Sequence, residues 1–204
     1  MILNGPVLNY IVWRVAWNKN SVTTPCRPVF DATYRTHNDS YALNDILPKG
    51  VNGMNNLAHI IIRWQIKRFA FHTDISKHYN MVKMDKSHWR FQLYWWNDSL
   101  NPDTDPKTKV IKTNIYGLKP SGNLAERALR MLAEMLKDKF PKAYEIIHRD
   151  FFVDDCMSGE DSEEAREHAI NDLSLCLGEG GFGLKCITLS GEDPDIKLIS
   201  IRVV

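Results

Sequence analysis

Apolar residues recur at helical spacing in two stretches of the chain, residues 52–68 and 123–140. Recurrence at intervals of three and four positions predicts an amphipathic helix in each. Asn123 is suited to cap the start of the second helix, and Pro141 is suited to end it. Asp161 and Glu164 have the spacing of a capping box, which predicts a third helix from there to about Leu177.

Alternating or continuous apolar runs predict strands between these helices. The predicted strands are residues 25–31, 69–75, 89–96, 111–115 and 182–189. In 69–75 the alternation places Phe71 and Ile75 on one face, and His72 and Asp74 on the other. Residues 148–158 are predicted to form a strand, a tight turn and a second strand. Strands interleaved with helices predict an α+β fold, in which helices cover one face of an antiparallel sheet.

Composition is that of an ordinary globular protein. The chain has 204 residues, of which 44% are hydrophobic and 25% charged, so it can bury a sizeable core. Polar residues interrupt the apolar start at 1–17, and no other segment approaches the length of a membrane span, so we expect no membrane partner. The four cysteines lack the spacing of a zinc site. They favour a reducing, intracellular setting, in the cytoplasm or the nucleus.

Charge is distributed unevenly, although the net charge is only +1. Residues 1–150 carry 22 Lys and Arg against 13 Asp and Glu, whereas residues 151–204 carry 4 against 12. A basic majority is compatible with a surface that follows nucleic-acid phosphates. An ordinary solvated surface of mixed charge explains the same counts equally well.

The candidate chemistry lies in three aspartates. Asp154 and Asp155 fall in the predicted turn, and Asp74 ends the strand 69–75. Aspartate is common in turns, and Asp74 alone could be a simple cap. Three carboxylates that converge from separate strands would, however, repel one another unless a cation lay between them. Oxygen ligands select hard ions such as Mg²⁺ or Mn²⁺, and two such ions support phosphoryl transfer.

Two further features could contact a nucleotide. Tyr79 lies five residues after Asp74, where its ring could lie beneath a sugar and exclude a 2′-hydroxyl. A half-buried core tyrosine is the simpler interpretation of this spacing. Residues 116–122 form a Gly- and Pro-rich link before the second long helix, which would allow close backbone approach to a ligand. A plain strand-to-helix turn uses the same residue types.

Seven long motifs cover most of the chain between about residue 13 and residue 191. They are WRVAWNKNSVTTPCRPVFDAT (13–33), YALNDIL (41–47), FHTDISKHYN (71–80), DKSHWRFQLYWWND (85–98), IYGLKPSGNLAERAL (115–129), HRDFFVDDCMSG (148–159) and GGFGLK (180–185). In their sequence, order and spacing these motifs resemble a known family, the reverse transcriptases of BEL/Pao long-terminal-repeat retrotransposons.

The resemblance implies an architecture and a metal site. It implies a partial fingers region at 1–70, a palm at 71–195 and, at 196–204, a truncated lead-in to the primer grip. Asp74 matches the first metal-binding aspartate of the family, and Asp154 and Asp155 match the pair more often written YVDD. Phe152 stands where that motif has tyrosine.

The resemblance also implies a set of nucleotide contacts. Tyr79 matches the aromatic steric gate, and Tyr116 with Gly117 matches the strand-end pair that packs against nucleotide and template. Arg27 resembles the fingers arginine that grips the triphosphate, and Lys19 lies near its partner lysine but is offset. Lys185 is a candidate for the lysine that protonates pyrophosphate.

These matches imply an RNA-directed DNA polymerase core. Its cofactors would be two Mg²⁺ or Mn²⁺ ions, and its partners an RNA or DNA primer–template and deoxynucleoside triphosphates. Because the chain resembles a fragment without a thumb, we expect weak, salt-sensitive binding of primer–template. The alternatives are a non-catalytic nucleic-acid-binding remnant of a retroelement and a metal-dependent nuclease. The nuclease interpretation gives no reason for Tyr79 or the 116–122 link.

Overall fold

The computed structural model describes residues 9–20, 24–99 and 103–190. The predicted lead-in at 196–204 lies outside these residues. The described chain divides into two compact units. Unit 1 comprises the described residues up to Gly50 together with Val82–Gly122. Unit 2 comprises Val51–Met81 together with the described residues from Asn123 onward.

Strands and helices are interleaved along the described chain. The strands are β1 Val12–Trp17, β2 Cys26–Asp31, β3 Phe69–Asp74, β4 Leu93–Trp96, β5 Lys107–Val110, β6 Phe151–Phe152, β7 Asp155–Glu160 and β8 Thr188–Leu189. The α-helices are α1 Leu43–Ile46, α2 Leu57–Gln65, α3 His78–Met81, α4 Ser121–Leu136, α5 Pro141–Arg149 and α6 Glu163–Glu179. A 3₁₀ helix spans Lys86–Phe91. The fold is thus mixed, with antiparallel sheets and helices, as the α+β prediction requires.

Two short antiparallel ribbons build unit 1. β1 pairs with β2, and β4 pairs with β5. Tyr10, just before β1, forms a parallel bridge to Leu93, so the first segment of unit 1 is tied to the later one. A small core lies alongside these ribbons. Its buried members are Ile11, Ala32, Leu43, Ile115 and Leu118.

Unit 2 contains a four-stranded sheet in the order β6-β7-β3-β8. All of its pairings are antiparallel. α2, α5 and α6 pack against the sheet. Fully buried side chains from the strands and helices fill the interior. Among them are Ile60, Phe71, Ile146, Ile147, Leu173 and Leu177.

The two units are interleaved along the chain. The chain enters unit 2 at Val51, returns to unit 1 at Val82 and enters unit 2 again at Asn123. This interleaving follows from strand pairing between segments far apart in sequence. β3 pairs with β7 in one unit, and the bridge from Tyr10 to Leu93 joins distant segments in the other.

Several predicted strands are shorter or displaced. The segment predicted as a strand at 89–96 begins inside the 3₁₀ helix, and only its second half is β4. The strand predicted at 111–115 lies earlier, at β5. The strand predicted at 182–189 is reduced to β8, apart from an isolated bridge between Leu184 and Ile75. The strands predicted at 25–31 and 69–75 are confirmed as β2 and β3.

Helix ends differ from the predicted caps. α4 begins at Ser121 instead of after Asn123, and the Asn123 amide instead donates to the Val51 carbonyl. Pro141 opens α5, a helix that the pattern did not predict, because the missing N–H of proline is tolerated in a first turn. The cap of α6 is Ser162, whose hydroxyl accepts from the Ala165 N–H at 3.2 Å.

No helix formed by the described residues is both long and apolar enough to cross a membrane.

Candidate functional site

The three candidate aspartates lie in unit 2 around one turn. Asp74 is the last residue of β3 and Asp155 the first of β7, and the two are direct cross-strand partners. Partners in an antiparallel pair project their side chains from the same face, with Cβ atoms roughly 4.5–5.5 Å apart. Asp154 occupies the tight turn between β6 and β7. The register therefore brings two of the acids together and puts the third beside them in sequence.

The turn itself is held by the backbone. Val153 has a φ of 60°, a left-handed conformation that is unusual for a β-branched residue. The Ile75 N–H donates to the Asp154 carbonyl at 2.9 Å, which joins the turn to the end of β3. Because this bond uses main-chain atoms, the position of the turn does not depend on the Asp154 carboxylate.

Lys185 lies next to Asp74 at the end of β3. Its backbone N–H donates to the Asp74 carbonyl at 2.9 Å, and its Nζ donates to Asp74 Oδ2 at 3.2 Å. The lysine side chain is 61% exposed and that of Asp74 is 26% exposed. A two-point attachment of this kind keeps a cationic group at the end of β3 that remains open to solvent.

His72 is a further residue of the candidate site, and no sequence motif pointed to it. It lies two residues before Asp74 on β3, and its Nε2 is 3.3 Å from Asp155 Oδ1. The alternation of 69–75 had already placed His72 on the same face as Asp74. What the local pattern lacked was the register with β7, which brings Asp155 to that face.

The Asp154 carboxylate affects the pKa of two residues of α3, His78 and Tyr79. Burial raises the pKa of Tyr79 above its ordinary value, and the Asp154 carboxylate raises it further. Burial lowers the pKa of His78, while the Asp154 carboxylate opposes that shift. The His78 ring packs edge-on against Tyr79 and Phe182. Tyr79 is thus a half-buried residue that lies within the electrostatic reach of the candidate site.

A buried carboxylate braces the hairpin that carries Asp154 and Asp155. Asp150 is 2% exposed and immediately precedes β6. It accepts hydrogen bonds from Arg63 Nε at 3.3 Å, Arg149 Nε at 3.0 Å and the Ser158 hydroxyl at 2.7 Å. Its carbonyl accepts from the Met157 N–H at 3.0 Å. Asp150 therefore ties α2, α5 and β7 together at the base of the turn.

The remaining predicted contacts lie in unit 1. Arg27 is exposed on β2, where its Nε donates to the Thr24 carbonyl at 3.2 Å. Tyr116 is 52% exposed and precedes Gly117 in the link before α4. Unit 2 contains the other candidate residues, which are Asp74, Tyr79, Asp154, Asp155 and Lys185.

Gly117 has a structural reason of its own to be glycine. Its φ is 100°, and an added Cβ would lie 2.8 Å from the Phe30 carbonyl oxygen. Asn44 reinforces this turn, because its Nδ2 donates to the Gly117 carbonyl at 2.7 Å while its Oδ1 accepts from the Lys119 N–H at 2.7 Å. The backbone at this glycine thus closely approaches that of Phe30.

Replacing Gly117 by alanine is expected to destabilise unit 1. Positive φ costs a non-glycine residue about 1–2 kcal/mol, and the contact with Phe30 adds to this cost, so we expect a loss of about 2 kcal/mol or more. Urea unfolding followed by tryptophan fluorescence measures it. Gly183→Ala is the matched control, because a Cβ at Gly183 would meet nothing within 4 Å. Equal unfolding midpoints for the two variants would contradict the prediction.

The donor set fits a hard cation in its chemistry. The three candidate ligands are all carboxylates, which suit Mg²⁺ or Mn²⁺ better than zinc or copper. Two of them start from paired positions on adjacent strands. Across residues 9–20, 24–99 and 103–190, no three His, Cys, Asp or Glu side chains are gathered closely enough to hold a metal ion. Asp74 and Asp155 instead contact the nitrogens of Lys185 and His72, respectively.

No protein-family model matches this chain, and no curated protein matches it at a significant level.

Proposed function

We propose that this chain is the core of an RNA-directed DNA polymerase, with part of the fingers at 1–70 and a palm at 71–195. One observation carries the proposal. Asp74 and Asp155 are cross-strand partners at the ends of β3 and β7, with Asp154 in the adjoining turn. Aspartates on paired strands and a tight turn provide the rigid carboxylate platform that metal-dependent nucleotidyl transfer needs.

Each residue of the platform has a proposed role. Asp74, Asp154 and Asp155 would hold Mg²⁺ or Mn²⁺, which would supply charge stabilisation at the attacking primer 3′-hydroxyl and at the leaving pyrophosphate. Lys185, attached at the end of β3, offers an ammonium group from which the pyrophosphate takes a proton. Tyr79 limits the space beneath the sugar of the incoming nucleotide.

Two further residues would contact the triphosphate and the template in this proposal. Arg27 is exposed on the β1–β2 ribbon, and a guanidinium there can make bidentate contacts to phosphate. Tyr116 is exposed next to Gly117, and its ring offers an apolar surface to a base or sugar. The partners are then a primer–template and deoxynucleoside triphosphates.

A primer-extension assay tests the proposed activity. The 204-residue chain is incubated with poly(rA)/oligo(dT), dTTP and either Mg²⁺ or Mn²⁺, and products are resolved by length. We expect metal-dependent extension by a few nucleotides, with none when the metal is chelated. Extension that persists without a divalent ion would contradict the metal mechanism. Cleavage of the template without extension would favour the nuclease interpretation.

Shrinking Tyr79 to valine is expected to weaken discrimination against ribonucleotides. The 2′-hydroxyl needs the space that the ring occupies, so the ratio of UTP to dTTP incorporation should rise at least tenfold, a change in the range of steric selectivity effects. Single-nucleotide incorporation kinetics give this ratio. Tyr144→Val, on α5 in the same unit, is the control. An unchanged ratio in a Tyr79→Val chain that still polymerises would assign Tyr79 an ordinary core role.

A second candidate is a nucleic-acid-binding remnant without synthesis. It is favoured because two of the three aspartates already have partners within the protein: Asp74 contacts Lys185, and Asp155 contacts His72. Salt-sensitive binding of primer–template, with no extension at any Mg²⁺ or Mn²⁺ concentration, would support this candidate against the polymerase.

A further inference from the structure

His72 and Asp155 meet on one face of the β3–β7 ladder. His72 is the cross-strand partner of Met157, and Asp74 is the partner of Asp155. Residues two apart on a strand share a face, so His72, Asp74 and Asp155 all project from the same side. The histidine reaches Asp155 along the diagonal, with Nε2 at 3.3 Å from Oδ1. Diagonal neighbours in antiparallel strands are within reach of long and aromatic side chains.

The chemistry of the contact assigns the donor. An ionised carboxylate can only accept hydrogen bonds, so the His72 Nε2–H donates to Asp155 Oδ1. A carboxylate that ends a short side chain can otherwise rotate about its last bond. A donor on one oxygen restricts that rotation and holds the plane of the group. Because both residues lie on paired strands, the donor and the acceptor are held by the same ladder.

The side chains of His72 and Asp155 are both partly exposed to solvent, so a positioning role of His72 can be tested separately from a role in folding stability. The His72 side chain is 40% exposed and that of Asp155 is 49% exposed. Contacts this open to water contribute little to folding stability. Removing the donor should therefore leave the fold intact and show its effect in what Asp155 binds. Buried residues such as Asp150 would behave in the opposite way.

We propose that His72 is a positioning residue that orients the Asp155 carboxylate towards a divalent cation. The inference rests on the proposed function, since it assumes that Asp155 is a metal ligand. Hydrogen bonds to a ligating carboxylate fix its direction and raise its affinity, and their loss commonly costs 10–100-fold in metal affinity. In this role His72 acts through its contact with Asp155.

Mn²⁺ binding to the 204-residue chain, measured from the electron paramagnetic resonance signal of free Mn²⁺ at constant pH, tests this role. We expect H72F to raise the Kd by about tenfold or more. H72Q, whose amide N–H can replace the donor, should recover most of the affinity. The melting temperature of H72F should stay close to that of the native chain. H148F is the matched control, because His148 Nε2 lies 3.4 Å from Glu134 Oε1 on the helices α5 and α4.

The outcomes distinguish the inference from the proposed function. If D155N loses Mn²⁺ binding while H72F binds as tightly as the native chain, the positioning role is wrong and the metal site stands. If H72Q is weakened as much as H72F, the hydrogen bond is not the cause and the inference fails. If D74N and D155N leave Mn²⁺ binding unchanged, both the metal site and the role of His72 are overturned. Loss in H72F, recovery in H72Q and no change in H148F support the inference.

Discussion

Asp154→Asn is expected to abolish metal-dependent primer extension, with a loss of roughly a thousandfold or more. The substitution keeps the shape of the side chain but removes the negative charge that a divalent cation requires. Metal stabilisation of the transition state is worth several kcal/mol, and each 1.36 kcal/mol is about a tenfold change in rate. Single-turnover extension on poly(rA)/oligo(dT) measures the loss.

The design of this experiment uses the backbone contact of the turn. The bond from the Ile75 N–H to the Asp154 carbonyl is unaffected by the change of side chain, so the hairpin should keep its position. Asp138→Asn, at an exposed site after α4, removes the same charge without touching the platform. Equal activity of Asp154→Asn and Asp138→Asn would mean that Asp154 has no part in catalysis.

Asp150→Ala is expected to destabilise unit 2 by about 1–3 kcal/mol, the cost of leaving a buried hydrogen-bonding group without its partner. Asp150 is 3% exposed in its side chain and accepts from two arginines and a serine. Alanine leaves Arg63, Arg149 and the Ser158 hydroxyl without this acceptor. The loss falls at the base of the hairpin, so primer extension should fall with stability.

Hydrogen exchange at the Trp64 indole reports on unit 2 alone. Trp64 is the one tryptophan in the sequence of that unit, and its indole N–H donates to the Phe71 carbonyl at 3.0 Å. Faster exchange of this proton in Asp150→Ala is the expected result. The control is Asp161→Ala, which breaks an ion pair with Lys67 at an aspartate whose side chain is 86% exposed and should cost under about 1 kcal/mol. Equal exchange rates for the two variants would argue against a brace at Asp150.

The local pattern of apolar and polar residues was sufficient to predict strands that bury one face and expose the other. The alternation of 69–75 predicts β3 and its two faces, and Phe71 is 1% exposed in the structure. Within 148–158 the turn and the second strand are confirmed, whereas the first strand is reduced to β6 because residues 148 and 149 end α5. In both segments the signal comes from residues that are neighbours in sequence.

Caps and short elements were predicted less well because their determinants compete locally. Asp161 and Ser162 can both cap a helix, and Asp161 instead pairs with Lys67 from a distant segment. Pro141 can end one helix or open the next, and here it opens α5. The 3₁₀ helix at Lys86–Phe91 contains aromatic residues that are equally typical of strands. Packing decided each of these cases.

The sequence by itself determined that Asp74 ends a strand, that Asp154 lies in a tight turn with Asp155 beside it, and which face of β3 carries His72. These properties depend on side-chain periodicity and turn chemistry, which act over a few residues. Only the tertiary structure decided that Asp74 pairs with Asp155, that Lys185 and His72 contact these two acids, and that Asp150 braces the turn. These contacts join positions that are far apart in the chain: Asp74 with Asp155 and Lys185, and His72 with Asp155. Such contacts depend on strand register, and a shift of one residue would have turned every one of these side chains to the opposite face.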